Sequence, residues 1–388
     1  MLLQAGVGAA LTMLEEVLAA DSAGADSLAL DMAGRIVADW ARQSPPRYAA
    51  KGEGPLRARM VRCLARFGTT APGERFLREV LVADYDGSEN AALADGAPFL
   101  LAAWPLKELL AALVNSAFLR CPRALCELLF LLEAGNQAHP SLAGGLALRG
   151  FAGALVDALP GLAARPKHSE IDWSLAFDET AADADSCHRL LGVLERLKGD
   201  QHHAAAVTAL IAQPQVFDPS RILVPALQAL CAAQALGGID QDAQRLRLWR
   251  HCCAFLLARS EFAPPAPGDW SQPVALACRC EDCKALQAFA RDPQLREQRF
   301  RVRQDRREHL QRQIAQHALD MHHVTDRTGS PQTLVCRKTR ENYRRQCRQH
   351  GEDVAAMHAL HALRITAPDA DLARLAAAVE RQPQAVEG

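Results

Sequence analysis

A chain of 388 residues with 49% hydrophobic content can bury the cores of two or three domains, and its 5% aromatic content favours helices packed through aliphatic ridges over a β-rich fold. A net charge of −1 excludes a uniformly basic or acidic protein but hides an imbalance: residues 1–290 carry 26 Lys/Arg against 32 Asp/Glu, residues 291–350 carry 15 against 7, and the last 38 residues return to −3. Twelve cysteines at this length are too sparse for a disulfide scaffold, so reduced, packed thiols such as Cys63, Cys126 and Cys231 are the expectation.

The first segment, MLLQAGVGAALTMLEEVLAA, has no basic leader and carries Glu15 and Glu16 within its apolar run. It reads as an amphipathic helix and not as a signal peptide. No apolar run is expected to reach the roughly 18 residues of a membrane span. A cytoplasmic protein without a membrane partner follows from these readings. Helix signals then recur to about residue 261. Pro105 opens a segment with Leu106, Leu109, Leu110 and Leu113 on one face; Pro122 opens the next, with Leu125, Leu128, Leu129 and Leu132, which Gly135 should end. Leu190, Val193, Leu194 and Leu197 ahead of Gly199 make a third. Pro225 lies too far into the segment after Asp218-Pro219 for one straight helix, so a kink or a start at Pro225 is expected.

Short connections between such helices give antiparallel hairpins. The expected fold is mostly α: a helical-hairpin array, either a HEAT- or armadillo-like solenoid or an irregular helical bundle, with a small C-terminal α+β zinc-binding module. Linker-like stretches at 44–54, 164–180 and 262–273 divide it into helical-repeat residues 1–163, a second helical region 181–261, a basic Cys/His module with a β-hairpin 262–350, and C-terminal helices 351–388.

Within the third region, Cys280 and Cys283 have the Cys-x2-Cys spacing that lets one turn aim two thiolates at a tetrahedral ion. The segment RREHLQRQIAQHALDM reads as a helix with Leu310, Ile314 and Met321 on one face and His309 at its border. HHVTDRTGSPQTLVCRK reads as a β-hairpin, and a four-residue loop at Thr328–Pro331 sets His323 opposite Cys336, about 5 Å away on the same face. The metal candidates are Cys280, Cys283, His309 and His323, with Cys278 and Cys336 in reserve; the alternative is a group of packed thiols. A closed four-ligand zinc site is structural, whereas catalysis needs an open position. Arg299-Phe300-Arg301-Val302-Arg303 alternates like a strand, and with Arg306 and Arg307 it offers forked donors to phosphate or carboxylate. The alternative there is a solvated surface with local ion pairs.

The runs LWRHCCAFLLARSEFAPPAPGDW, CRCEDCKALQAF, RREHL and GSPQTLVCRKT resemble the C-terminal region of large bacterial and fungal proteins that carry a prolyl-hydroxylase-like 2-oxoglutarate/iron(II) oxygenase domain towards their N-terminus. The resemblance is best over 245–350 and fainter at 84–94 and 217–227. It implies a helical and zinc-like tail, and supports Cys280, Cys283, His309 and His323 as matching positions. The oxygenase itself is not expected here: His168-Ser169-Glu170 and His350-Gly351-Glu352 have the local iron-ligand spacing but no surrounding run of strands. The expected function is therefore a non-enzymatic scaffold for a protein partner with a structural zinc module. Nucleic-acid binding through the basic segment and substrate recruitment for an oxygenase are the alternatives. Oligomeric state is not legible.

Overall fold

The computed structural model describes residues 6–20, 24–43, 54–67, 70–103, 106–140, 142–164, 182–198, 200–233, 239, 242–363, 365 and 370–381. Most of the linker-like stretches 44–54 and 164–180, Pro105 and His168-Ser169-Glu170 lie outside them. Among the described residues the chain is mostly helical with one small antiparallel sheet, and it divides into two compact units, residues 1–255 with 358–377 and residues 256–357 with 378–388.

In the first unit α1 (Val7–Ala19), α3 (Gly54–Ala65), α6 (Asn90–Ala103), α8 (Pro122–Ala138), α10 (Ala184–Arg196) and α12 (Val224–Ala232) pack in succession. The intervening α2 (Ala25–Gln43), α4 (Ala71–Phe76), α5 (Val82–Asp84), α7 (Leu106–Ala117), α9 (Leu142–Ala158) and α11 (Asp200–Ile211) form a parallel series, with a π turn, Leu77–Leu81, joining α4 to α5. The apolar periodicity explains both series. Ala10, Leu11, Leu14 and Leu18 are the buried stripe of α1, and Leu109, Leu110 and Leu113 lie buried on α7.

Helix α8 starts at Pro122 as its spacing implied but runs past Gly135 to Ala138, since a lone glycine costs a helix only about 1 kcal/mol. At the second proline site, a π turn Pro219–Leu223 precedes α12, with the Val224 N–H bonded to the Pro219 carbonyl. That wider turn admits Pro225, which has no N–H to offer. The stretch Gly144–Ala163 is long and apolar enough to cross a membrane by length and composition, contrary to expectation; half of it is buried, and its α9 packs on α7, α8 and α11.

Polar contacts tie the first series together. Arg57, 1% exposed, bonds the fully buried Glu89 and reaches Asp86 Oδ2 at 2.6 Å. Burial pushes the Glu89 carboxyl up and Arg57 opposes it. The turn into α6 is built on Gly87, at φ +95°, where a Cβ would sit 2.3 Å from the Ala124 Cβ; Tyr85 then donates to Asn90 Oδ1 at 2.6 Å and Asn90 to the Ala124 carbonyl at 2.8 Å. The DYDGSEN run is thus a packed turn between α3, α6 and α8. Beside it lies a cleft of about 510 Å³, whose Arg123 meets Asp183 at 2.8 Å and whose Arg189 meets Asp185 at 2.7 Å and Glu127 at 3.5 Å.

The long α13 (Ala243–Ser260) carries buried Trp249, Cys252 and Cys253 as packing residues. In the second unit, α14 (Glu281–Arg291) and α15 (Gln304–Gln316) cover one face of a sheet with strand order β1-β3-β2, formed by β1 (Glu297–Arg301), β2 (Met321–Asp326) and β3 (Thr333–Lys338). Leu286 and Phe289, Leu310 and Ile314, and Phe300, Leu334 and Cys336 are its core. Helix α15 ends at Gln316, with Ala318 at φ 45°, so Met321 reaches the same core from β2 and not from the helix. The hairpin register pairs His323 with Cys336, and its turn holds Gly329 at φ +94°. Helices α16 (Glu341–His361) and α17 (Ala370–Arg381) complete the described chain.

Candidate metal centre

The proline-rich segment 262–277 cannot form a helix, and it is held instead as an extended strap along α14. Trp270 N–H donates to the Pro293 carbonyl (3.1 Å), Gln272 N–H to Ala290 (2.8 Å), and Arg291 donates to the Val274 carbonyl through two nitrogens (2.9 and 2.6 Å). The Gln287 side chain accepts from the Leu276 N–H at 2.8 Å. These bonds satisfy backbone groups that no sheet or helix serves, and they carry the chain to Cys278 at the N-terminus of α14.

Cys280 is the N-cap of that helix, in extended backbone at φ −65° and ψ 160°, and its sulfur accepts the Cys283 N–H at 3.4 Å. Cys283 sits three residues before Leu286, on the core face, and is fully buried. His309 comes from the adjacent turn of α15, one residue before the buried Leu310. Its Nε2 lies 3.1 Å from the Cys283 sulfur and 3.7 Å from that of Cys280. The ligand atoms of Cys278, Cys280, Cys283 and His309 all fall within 4.8 Å of one another. For Zn–S near 2.3 Å and Zn–N near 2.0 Å, a tetrahedral ion puts donor atoms about 3.5–3.8 Å apart. The four side chains form a group that can hold one metal ion.

The electrostatics of the thiols agree with that chemistry. Hydrogen bonds from the Cys280 backbone, then from the Cys280, His309 and Cys283 side chains, bring Cys278 down to about 7. Burial, followed by the neighbouring sulfurs of Cys280 and Cys278, pushes Cys283 up to about 12. A buried thiol beside a ready thiolate needs a cation to give up its proton. Arg306 spans to Asp282, both nitrogen–oxygen contacts at 2.5 Å, and ties the first turn of α14 to α15 beside the cluster.

The other candidates lie elsewhere. His323 is half-buried on the inner face of the sheet, where burial and then the neighbouring His322 lower its pKa; it does not belong to the four-donor group. Cys336 stands opposite it, fully buried in the apolar core, its thiol pushed to about 12 by burial alone. Cys278, held in reserve, is the fourth member of the group, where His323 was expected. The arginines divide. Arg306 is paired to Asp282, and buried Arg307 donates to the Val302 carbonyl at 2.8 Å and Gln332 Oε1 at 3.0 Å. Arg299, Arg301 and Arg303 are exposed.

No protein-family model, curated protein or solved structure matches the chain. The arrangement of the cluster therefore carries the functional argument by itself. His350 lies in the body of α16, a helical setting and not the strand edge of an iron-binding jelly roll.

Proposed function

We propose that this chain is an interaction scaffold in which a zinc ion, held by Cys278, Cys280, Cys283 and His309, fixes a C-terminal docking module. The observation that carries the reading is the convergence of four soft and borderline donors from three separate elements: a strap, a helix N-terminus and a second helix. Three thiolates and an imidazole suit zinc. Four protein donors fill a tetrahedral shell and leave no position for substrate, so the ion's role is structural. It pins the strap and α14 to α15 at the end of a small apolar core. The two packed series of helices in the first unit support a solenoid of helical hairpins, whose continuous faces suit a protein partner.

The test is metal analysis of the purified full chain, joined to limited proteolysis with and without a chelator. A single zinc ion per chain is expected, with cleavage opening between residues 262 and 350 on chelation while the helical fragments persist. Zinc content near zero, or a cleavage pattern that ignores the chelator, refutes the reading.

A further inference from the structure

Helices α14 and α15 cover one face of the sheet, and among the described residues the other face buries no side chain. Across it, Arg299 of β1, Val335 of β3 and Val324 of β2 stand in one row; Glu297, Arg337 and His322 form the row beside it. Val324 is 54% exposed, and the side chains of Arg299 and Arg337 are 61% and 67% exposed. Two arginines share one carboxylate there: Glu297 takes Arg299 at 3.1 Å and Arg337 at 2.7 Å. Asp326 stands in the next row with Thr333 and Arg301, so the face as a whole carries one positive charge in excess. Arg301 donates to the Ser330 carbonyl at 3.2 Å, which orients the guanidinium without neutralising it.

We propose that this open face docks an extended acidic segment of a partner protein. The inference rests on the scaffold reading and names its partner. Arg299 and Arg301 stand on the same side of β1 two residues apart, about 6.6–6.8 Å in a strand. An extended peptide with a carboxylate at every second position has the same repeat. Its intervening aliphatic side chains find the exposed Val324 and, beside it on the central strand, the half-buried Val335. A single-stranded nucleic acid meets the arginines equally well, but its bases stack on aromatic rings. Two of the three side chains in the middle row of that face are valines, and the ring its strands present there is the imidazole of His322. The chemistry of the face therefore favours an acidic polypeptide.

The experiment uses the full, zinc-loaded chain and a fluorescein-labelled ten-residue peptide of alternating Glu and Val. A block peptide of the same composition and a single-stranded RNA of random sequence serve as competitors. Binding of the alternating peptide is expected to exceed that of the block peptide by at least about tenfold, and to fall by a similar factor in Arg301→Ser and in Val324→Lys. Arg312→Ser, an exposed change on α15, is expected to leave it unchanged. Equal binding of the two peptides, indifference to Arg301→Ser, or RNA that binds more tightly and is lost in the same variants overturns the proposal. Zinc content and protease resistance measured on each sample separate the two readings: a metal-loaded, resistant protein that ignores the alternating peptide sinks the docking face alone.

Discussion

Cys278→Ser against His323→Ala is the sharpest test of the metal centre, because the two residues compete for the fourth position. Structural zinc sites in small modules contribute about 10–16 kcal/mol, so each of four donors carries about 2.5–4 kcal/mol. Loss of the Cys278 sulfur is therefore expected to weaken zinc about 10²–10³-fold. His323 lies outside the four-donor group, and its removal should leave affinity within about twofold, a difference of under about 0.5 kcal/mol. Competition with a chromogenic chelator, titrated against full-length protein at constant pH, measures both. Zinc retained by Cys278→Ser but lost by His323→Ala would refute the assignment, and with it the argument from donor spacing.

Cys336→Ser places a hydroxyl among Phe300, Leu334 and Ile314; it should cost about 1–3 kcal/mol in urea denaturation with zinc content unchanged. Arg57→Met leaves Glu89 buried without its counter-charge and should cost about 3–5 kcal/mol, most of which Arg57→Met/Glu89→Leu recovers in a double-mutant cycle. Arg306→Ala breaks a pair whose arginine is 49% exposed and screened by solvent, so the urea midpoint is expected to match that of the parent. Burial holds the His251 pKa below its ordinary 6.5. The unfolded chain therefore binds the proton first, and stability falls as pH drops through and below 6.5. Thermal melts from pH 7 to 5 should show a shallower decline for His251→Gln than for the parent.

Much of this was legible because local signals and packing agree. The leucine spacing on α7, α8 and α10 marks buried stripes, and the alternation in 321–338 sets the hairpin register that joins His323 to Cys336. That same register does not make a ligand pair of them: neighbours on a sheet face are close whether they bind a metal or fill a core. The signal for Cys278 was present in Cys-x-Cys. In extended backbone, side chains two apart share a face, so Cys278 and Cys280 point together once 278–280 is extended. What fixes that conformation is the bonding of the strap to α14, which no local pattern announces. Gly135 misled for a similar reason, since packing of α8 against α6, α9 and α10 outweighs one residue's propensity.

The strand order has a consequence for how the module is made. The central strand, β3, is the last in sequence, so no two strands of the sheet pair until the chain has been synthesised to Lys338. His309, the last of the four donors, precedes that residue by 29 positions. At about 5–20 residues per second, the donor set is complete roughly 1.5–6 s before the sheet. An ion captured in that interval joins α14 to α15 while their apolar faces still lack a cover, and the hairpin arrives on a surface already assembled.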